Sequence, residues 1–140
     1  MTLLDPADAP IGPATVELGP WQRRLANFHR IAGGFMILKG LLHWGTLFGL
    51  DGTDFFKEAV EAQSSVVFFA IVDLAAGVAL WLGSPWGASL WFMTVAAQLI
   101  ADVAYIEHSA VMVLLSIVEI LLVAVYVLLR FRAHSEKHSR

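Results

Sequence analysis

Residues 64–83 read SSVVFFAIVDLAAGVALWLG, an apolar run interrupted only by Asp73. At a rise of about 1.5 Å per residue, about 20 such residues cross a hydrocarbon core of about 30 Å. The run stops at Gly83-Ser84-Pro85. Proline cannot continue a helix and biases the residue before it toward extended geometry. Working outward, residues 86–106 (WGASLWFMTVAAQLIADVAYI) and 110–129 (AVMVLLSIVEILLVAVYVLL) have the same character. Upstream, residues 28–50 (FHRIAGGFMILKGLLHWGTLFGL) form a fourth run, ended by the turn dipeptide Asp51-Gly52. Glu107-His108-Ser109 separates the last two runs, with Ser109 placed as an N-cap. The short later connections predict antiparallel neighbours. The expected fold is all-α: an antiparallel four-transmembrane-helix bundle.

Bulk composition agrees. The 140 residues suit one domain, and only 15 % are charged against 58 % hydrophobic. A soluble domain carries roughly a quarter charged residues, so this chain needs an apolar solvent. The net charge of −3 provides no basic face for nucleic acid. With no cysteine, disulfides, thiol nucleophiles and iron–sulfur clusters are excluded.

Residues 1–26, with Pro6, Pro10 and Pro13 beside Asp5, Asp8 and Glu17, read as a polar, mostly disordered tail. A cleaved signal peptide is not expected. Residues 27–132 form the bundle, and residues 133–140 a short polar tail. Arg23, Arg24, Arg30, Arg130, Arg132, Lys137 and Arg140 all fall on the side of the termini, and only Lys57 lies on the other. The positive-inside rule then puts both termini in the cytoplasm of a bacterial inner membrane. Trp21, Trp81 and Trp86 belong to that interface. The loop 51–63 faces outside, with Phe55, Phe56, Ala59 and Val60 on one side of an amphipathic turn.

The informative residues are polar groups within the spans: Lys39, His43, Asp73, Gln98, Asp102 and Glu119. Ionisable groups there are costly and tend to face the protein interior. Measured from the cytoplasmic ends, Lys39, Asp73, Gln98 and Glu119 all lie roughly 15–17 Å deep, one from each helix. His43 and Asp102 both lie roughly 22 Å deep and form an expected outer pair. Lys39/His43 and Gln98/Asp102 are i,i+4 pairs, each on one helix face. Tyr105 extends the stripe of the third helix, and Ser116 and Tyr126 that of the fourth. Two carboxylates and one ammonium cannot all stay charged cheaply in a dry core. Asp73 is expected to pair with Lys39, and Glu119 to hold a proton. Small residues at four-residue spacing (Ala75, Ala79, Gly83; Ala97, Ala101) favour close helix approach.

Other chemistries find incomplete sets. His29 and His43 could serve two stacked haems, but no other span offers a histidine ligand. The Glu-x-x-His pairs of a bridged di-metal site are missing. His43, Asp102, Glu107 and His108 could gather near the outer face, and His134 with Glu136 and His138 forms a solvated terminal cluster. Neither group carries an expected metal site. No nucleophile elbow is present, and no cofactor is expected.

His29-Arg30-Ile31-Ala32-Gly33-Gly34, then His43-Trp44-Gly45-Thr46-Leu47-Phe48-Gly49, then Leu80-Trp81-Leu82-Gly83-Ser84-Pro85-Trp86-Gly87 complete the pattern. Together they resemble small uncharacterised four-helix inner-membrane proteins found mainly in alphaproteobacteria, a domain-of-unknown-function family. The resemblance covers about residues 25–130. Lys39-Gly40-Leu41-Leu42 also looks like a second four-helix family of unknown function. Neither resemblance implies catalytic residues. The expected role is non-enzymatic: an accessory or regulatory protein held in the lipid bilayer beside a larger membrane partner or further copies of itself. A small proton-coupled transporter or channel and a lipid- or quinone-binding protein stand as alternatives.

Overall fold

The structure is a computed structural model that describes residues 19–52, 54–104 and 110–138. Four α-helices account for most of them: α1 (Pro20–Leu47), α2 (Val60–Trp81), α3 (Gly87–Ala104) and α4 (Ala110–His138). A single 3-10 turn, Phe55–Lys57, precedes α2. The amino-terminal tail 1–18 and Tyr105, Glu107, His108 and Ser109 lie outside the described residues.

Local chemistry sets the helix ends. Pro20 occupies the first position of α1, where its missing N–H costs no hydrogen bond. At the far end Gly49 adopts φ 70°, its N–H bonds Thr46 O at 2.9 Å, and Leu50 N–H reaches back to Gly45 O at 2.9 Å. Gly83 repeats this with φ 67°: its N–H bonds Leu80 O, and Ser84 N–H bonds Ala79 O. Both are Schellman closures, which need a residue that tolerates the left-handed region. The first helix thus stops at Leu47, ahead of the expected Leu50. Asp51 belongs to the following turn and accepts a 2.7 Å hydrogen bond from Thr46 Oγ1. At the other terminus α4 continues past Leu129 to His138, through residues expected to form a tail.

Three helices are long and apolar enough to cross a membrane: α2, α3 and the part of α4 from Val113 to Ser135. This marks the chain as a membrane protein. Four spans are expected from the sequence, and three of the four helices meet this measure of length and apolarity. The helix that falls short is α1, because His29, Arg30, Lys39 and His43 lower its apolarity. Large apolar side chains such as Ile71, Val78, Val103 and Leu121 point outward, and Val103 is 84 % exposed. Such faces suit lipid.

The core joins all four helices. Phe28, Ala32 and Met36 of α1 meet Ala76 and Leu80 of α2, Trp91 and Val95 of α3, and Tyr126 of α4. Trp91 and Tyr126 meet edge to face at 5.7 Å. The backbones of α1 and α2 approach closely. A Cβ on Gly33 would lie 2.7 Å from Gly77 O, and one on Gly77 would lie 2.8 Å from Gly33 O. At the start of α3, Gly87 leaves room for the backbone of Ala79. The expected small-residue stripe is therefore only partly used. Ala79 is buried, but Ala75 is exposed, and Ala97 and Ala101 are half-buried. Before α2, Phe55 is half-buried, Phe56 is exposed, and Lys57 forms an exposed 2.7 Å ion pair with Asp54.

Candidate functional site

Spacing on α1 brings the site together. Ala32, Met36, Lys39, Gly40 and His43 recur at three- and four-residue intervals, so they share one buried face. On α2, Phe69, Asp73, Ala76 and Leu80 do the same. Glu119 is buried on α4. These faces meet around the Lys39 ammonium. Lys39 Nζ donates to Glu119 Oε2 at 2.9 Å and lies 3.5 Å from Asp73 Oδ2. His43 Nε2 stands 3.6 Å from the same Asp73 oxygen. All four residues are buried, and Asp73 is fully so.

The expected division of partners changes. Lys39 is held between two acids, and Glu119 is the nearer and the one that accepts the hydrogen bond. His43 faces Asp73 on α2, where depth alone had matched it to Asp102. Gln98 is buried but turns to Asp102, donating to Oδ1 at 2.9 Å, and Ser116 donates to Oδ2 at 2.6 Å. Two constellations result. A cation with two acids and an imidazole links α1, α2 and α4, while an amide–carboxylate–hydroxyl relay links α3 to α4.

Depth estimates omit the ring that lines the first constellation. Phe69 stacks on His43 with centroids 5.7 Å apart, and Lys39 Nζ lies 5.7 Å from the Phe69 centroid. The signal was available, since Phe69 is four residues before Asp73 and so shares its face. One residue beyond His43, Trp44 Nε1 donates to Ala70 O at 3.1 Å, another tie from α1 to α2. His29 stays apart from the cluster, with its ring 5.6 Å from that of Tyr126.

Hydrogen bonding within the cluster is incomplete. Neither ring nitrogen of His43, neither carboxylate oxygen of Asp73, nor Glu119 Oε1 forms a hydrogen bond among the described residues. Buried polar atoms are normally satisfied, and low dielectric makes such a gap costly. Chemically, the cluster offers two carboxyls, an imidazole and an ammonium: groups that exchange protons. Among the described residues no three His, Asp or Glu side chains gather as a metal site.

No curated protein and no solved structure matches the chain. A family described only as a family of unknown function matches residues 23–137, a stretch that includes every residue of both constellations. The chain therefore belongs to that family, DUF6163.

Proposed function

We propose that the chain is a non-enzymatic accessory or regulatory protein of the bacterial inner membrane. In this reading it docks the outer side of α4 against a larger membrane protein or another copy of itself. One observation carries it: 11 % of the α4 span is buried within the chain, against 39 % of α2. Lipid solvates apolar faces well, so exposure alone demands no partner. But α4 spends its few inward side chains on Glu119, Ser116 and Tyr126, leaving Ile117, Leu121 and Leu128 as a continuous outer surface.

The arrangement within the membrane belongs to the same proposal. Gly33 beside Gly77, Gly40 beside Leu74 and Trp44 beside Ala70 run in opposite chain directions, which supports an antiparallel pair. The basic residues flanking the first and last helices support cytoplasmic termini. Because the chain has no cysteine, single cysteines introduced near Trp21 and near Phe56 report sidedness directly by labelling with an impermeant maleimide. Modification of the first in intact cells would reverse the topology. Native purification in mild detergent tests the docking role, and a strictly monomeric, partnerless particle would sink it.

A second reading is proton coupling, favoured by the acids on either side of Lys39. One ammonium balances one carboxylate, so a neutral cluster holds one further proton that either acid can carry. Proton flux in reconstituted vesicles decides. If no flux exists, or if Asp73→Asn and Glu119→Gln leave it unchanged, this reading fails.

A further inference from the structure

Away from both constellations, an open groove of about 800 Å³ runs between the start of α1, the start of α3 and the end of α4. Its walls divide by chemistry. Leu25, Phe92 and Val127 give an apolar surface, while Arg130 and His134 stand one turn apart on one face of α4. Tyr126, almost fully buried, closes the floor, and Arg130 Nη1 donates to its hydroxyl at 3.4 Å. That contact leans the guanidinium over the groove with further N–H donors to spare. No described acid lines the groove.

Depth adds to this. The groove lies at the helix ends that carry Trp21, Arg24 and Arg132. There, Arg24 stacks over the Trp21 ring at 4.5 Å and Arg132 approaches it at 5.5 Å. Indoles and arginines mark the headgroup level of a bilayer. A groove at that level opens onto lipid, with the apolar wall along the acyl chains and the cation beside the headgroup.

We propose that this groove binds one anionic phospholipid. Its phosphodiester is held by Arg130 and His134, and its upper acyl chain lies along Leu25, Phe92 and Val127. A guanidinium matches two phosphate oxygens at once, and a zwitterionic headgroup brings an ammonium against the same arginine. The site is independent of the Lys39 cluster and of any protein partner.

The experiment is native mass spectrometry of the full chain exchanged into mixed micelles. These hold equal amounts of phosphatidylglycerol and phosphatidylcholine. The wild type retains one phosphatidylglycerol in at least about tenfold preference, and Arg130→Gln lowers that retention about tenfold, as loss of a charge-assisted hydrogen bond implies. Arg132→Gln removes the same charge outside the groove and changes retention less than Arg130→Gln does, by about fivefold at most. Ser89→Trp fills the groove from its exposed rim without altering charge, and lowers retention as Arg130→Gln does. Helical circular dichroism checks that each variant is folded, and Ser89→Trp decides if Arg130→Gln is not. Equal retention of the two lipids, equal loss in the two arginine variants, or indifference to Ser89→Trp would each overturn the proposal.

Discussion

The two halves of the molecule are held together by different means. Between α1 and α2 the backbones nearly touch at Gly33 and Gly77, and Lys39, His43 and Trp44 all reach across. Between α3 and α4 the contacts come from side-chain tips: Asp102 with Ser116, and Trp91 and Phe92 with Tyr126. Within a bilayer the hydrophobic effect does not distinguish a neighbouring helix from lipid, so close packing and polar contacts decide affinity. The first pair uses both to the full. The second uses a few and leaves its outer faces to lipid or a partner. The α1–α2 contact is close and the α3–α4 contact sparse, although α4 is also tied to α1 through Glu119 and α3 to α2 through Gly87.

The strongest way to break the comparison is Lys39→Met. It strands two buried acids and should destabilise the chain by about 3–5 kcal/mol in mixed-micelle unfolding. The triple variant Lys39→Met, Asp73→Asn, Glu119→Gln should recover most of that, since replacing a whole buried charge set is near neutral. No recovery would mean that the cluster holds the fold by something other than charge balance. Gly77→Val comes next. Its Cβ meets Gly33 O and Ile37 N, both backbone, so the helices must separate at a cost of about 1–3 kcal/mol. An unaltered melting curve would show that the close approach is dispensable.

Smaller effects fall in the looser half. Ser116→Ala removes one hydrogen bond to Asp102 and should cost about 0.6–1 kcal/mol, raising hydrogen exchange in α4 while sparing α1 and α2. Exchange that rises equally in all four helices would erase the distinction between the halves. Leu121→Ala, on the outer face of α4, should change the stability of the isolated chain by less than about 0.5 kcal/mol. Its expected consequence is weaker association in native gels. A variant that unfolds the monomer would show that α4 is gripped as firmly as α2.

The helices were legible in the sequence because hydropathy and chain breaks are local. Gly83-Ser84-Pro85 marks the end of α2 within a residue or two. The role of Gly49 was harder to see, because Asp51-Gly52 nearby looks like the stronger breaker. Rise per residue groups Lys39, Asp73, Gln98 and Glu119 at one depth. The charged atoms of Lys39, Asp73 and Glu119 meet in the structure, whereas Gln98 turns to Asp102. Azimuth was not legible, because it depends on the crossing of two helices. For that reason His43 was matched with Asp102 and the contact between Gly33 and Gly77 went unread. The groove beside Arg130 was hidden for a related reason: three chain segments far apart in sequence build it.

The hydrogen bond from Lys39 to Glu119 spans 80 residues. At roughly 5–20 residues per second of synthesis, the lysine exists for on the order of ten seconds before that glutamate is made. Asp73 is translated much earlier and is the one acid of the cluster present during the interval. The two carboxyls are thus separated in time as well as in space: Asp73 is the first acid of the cluster made after the ammonium, and Glu119 the last to join it.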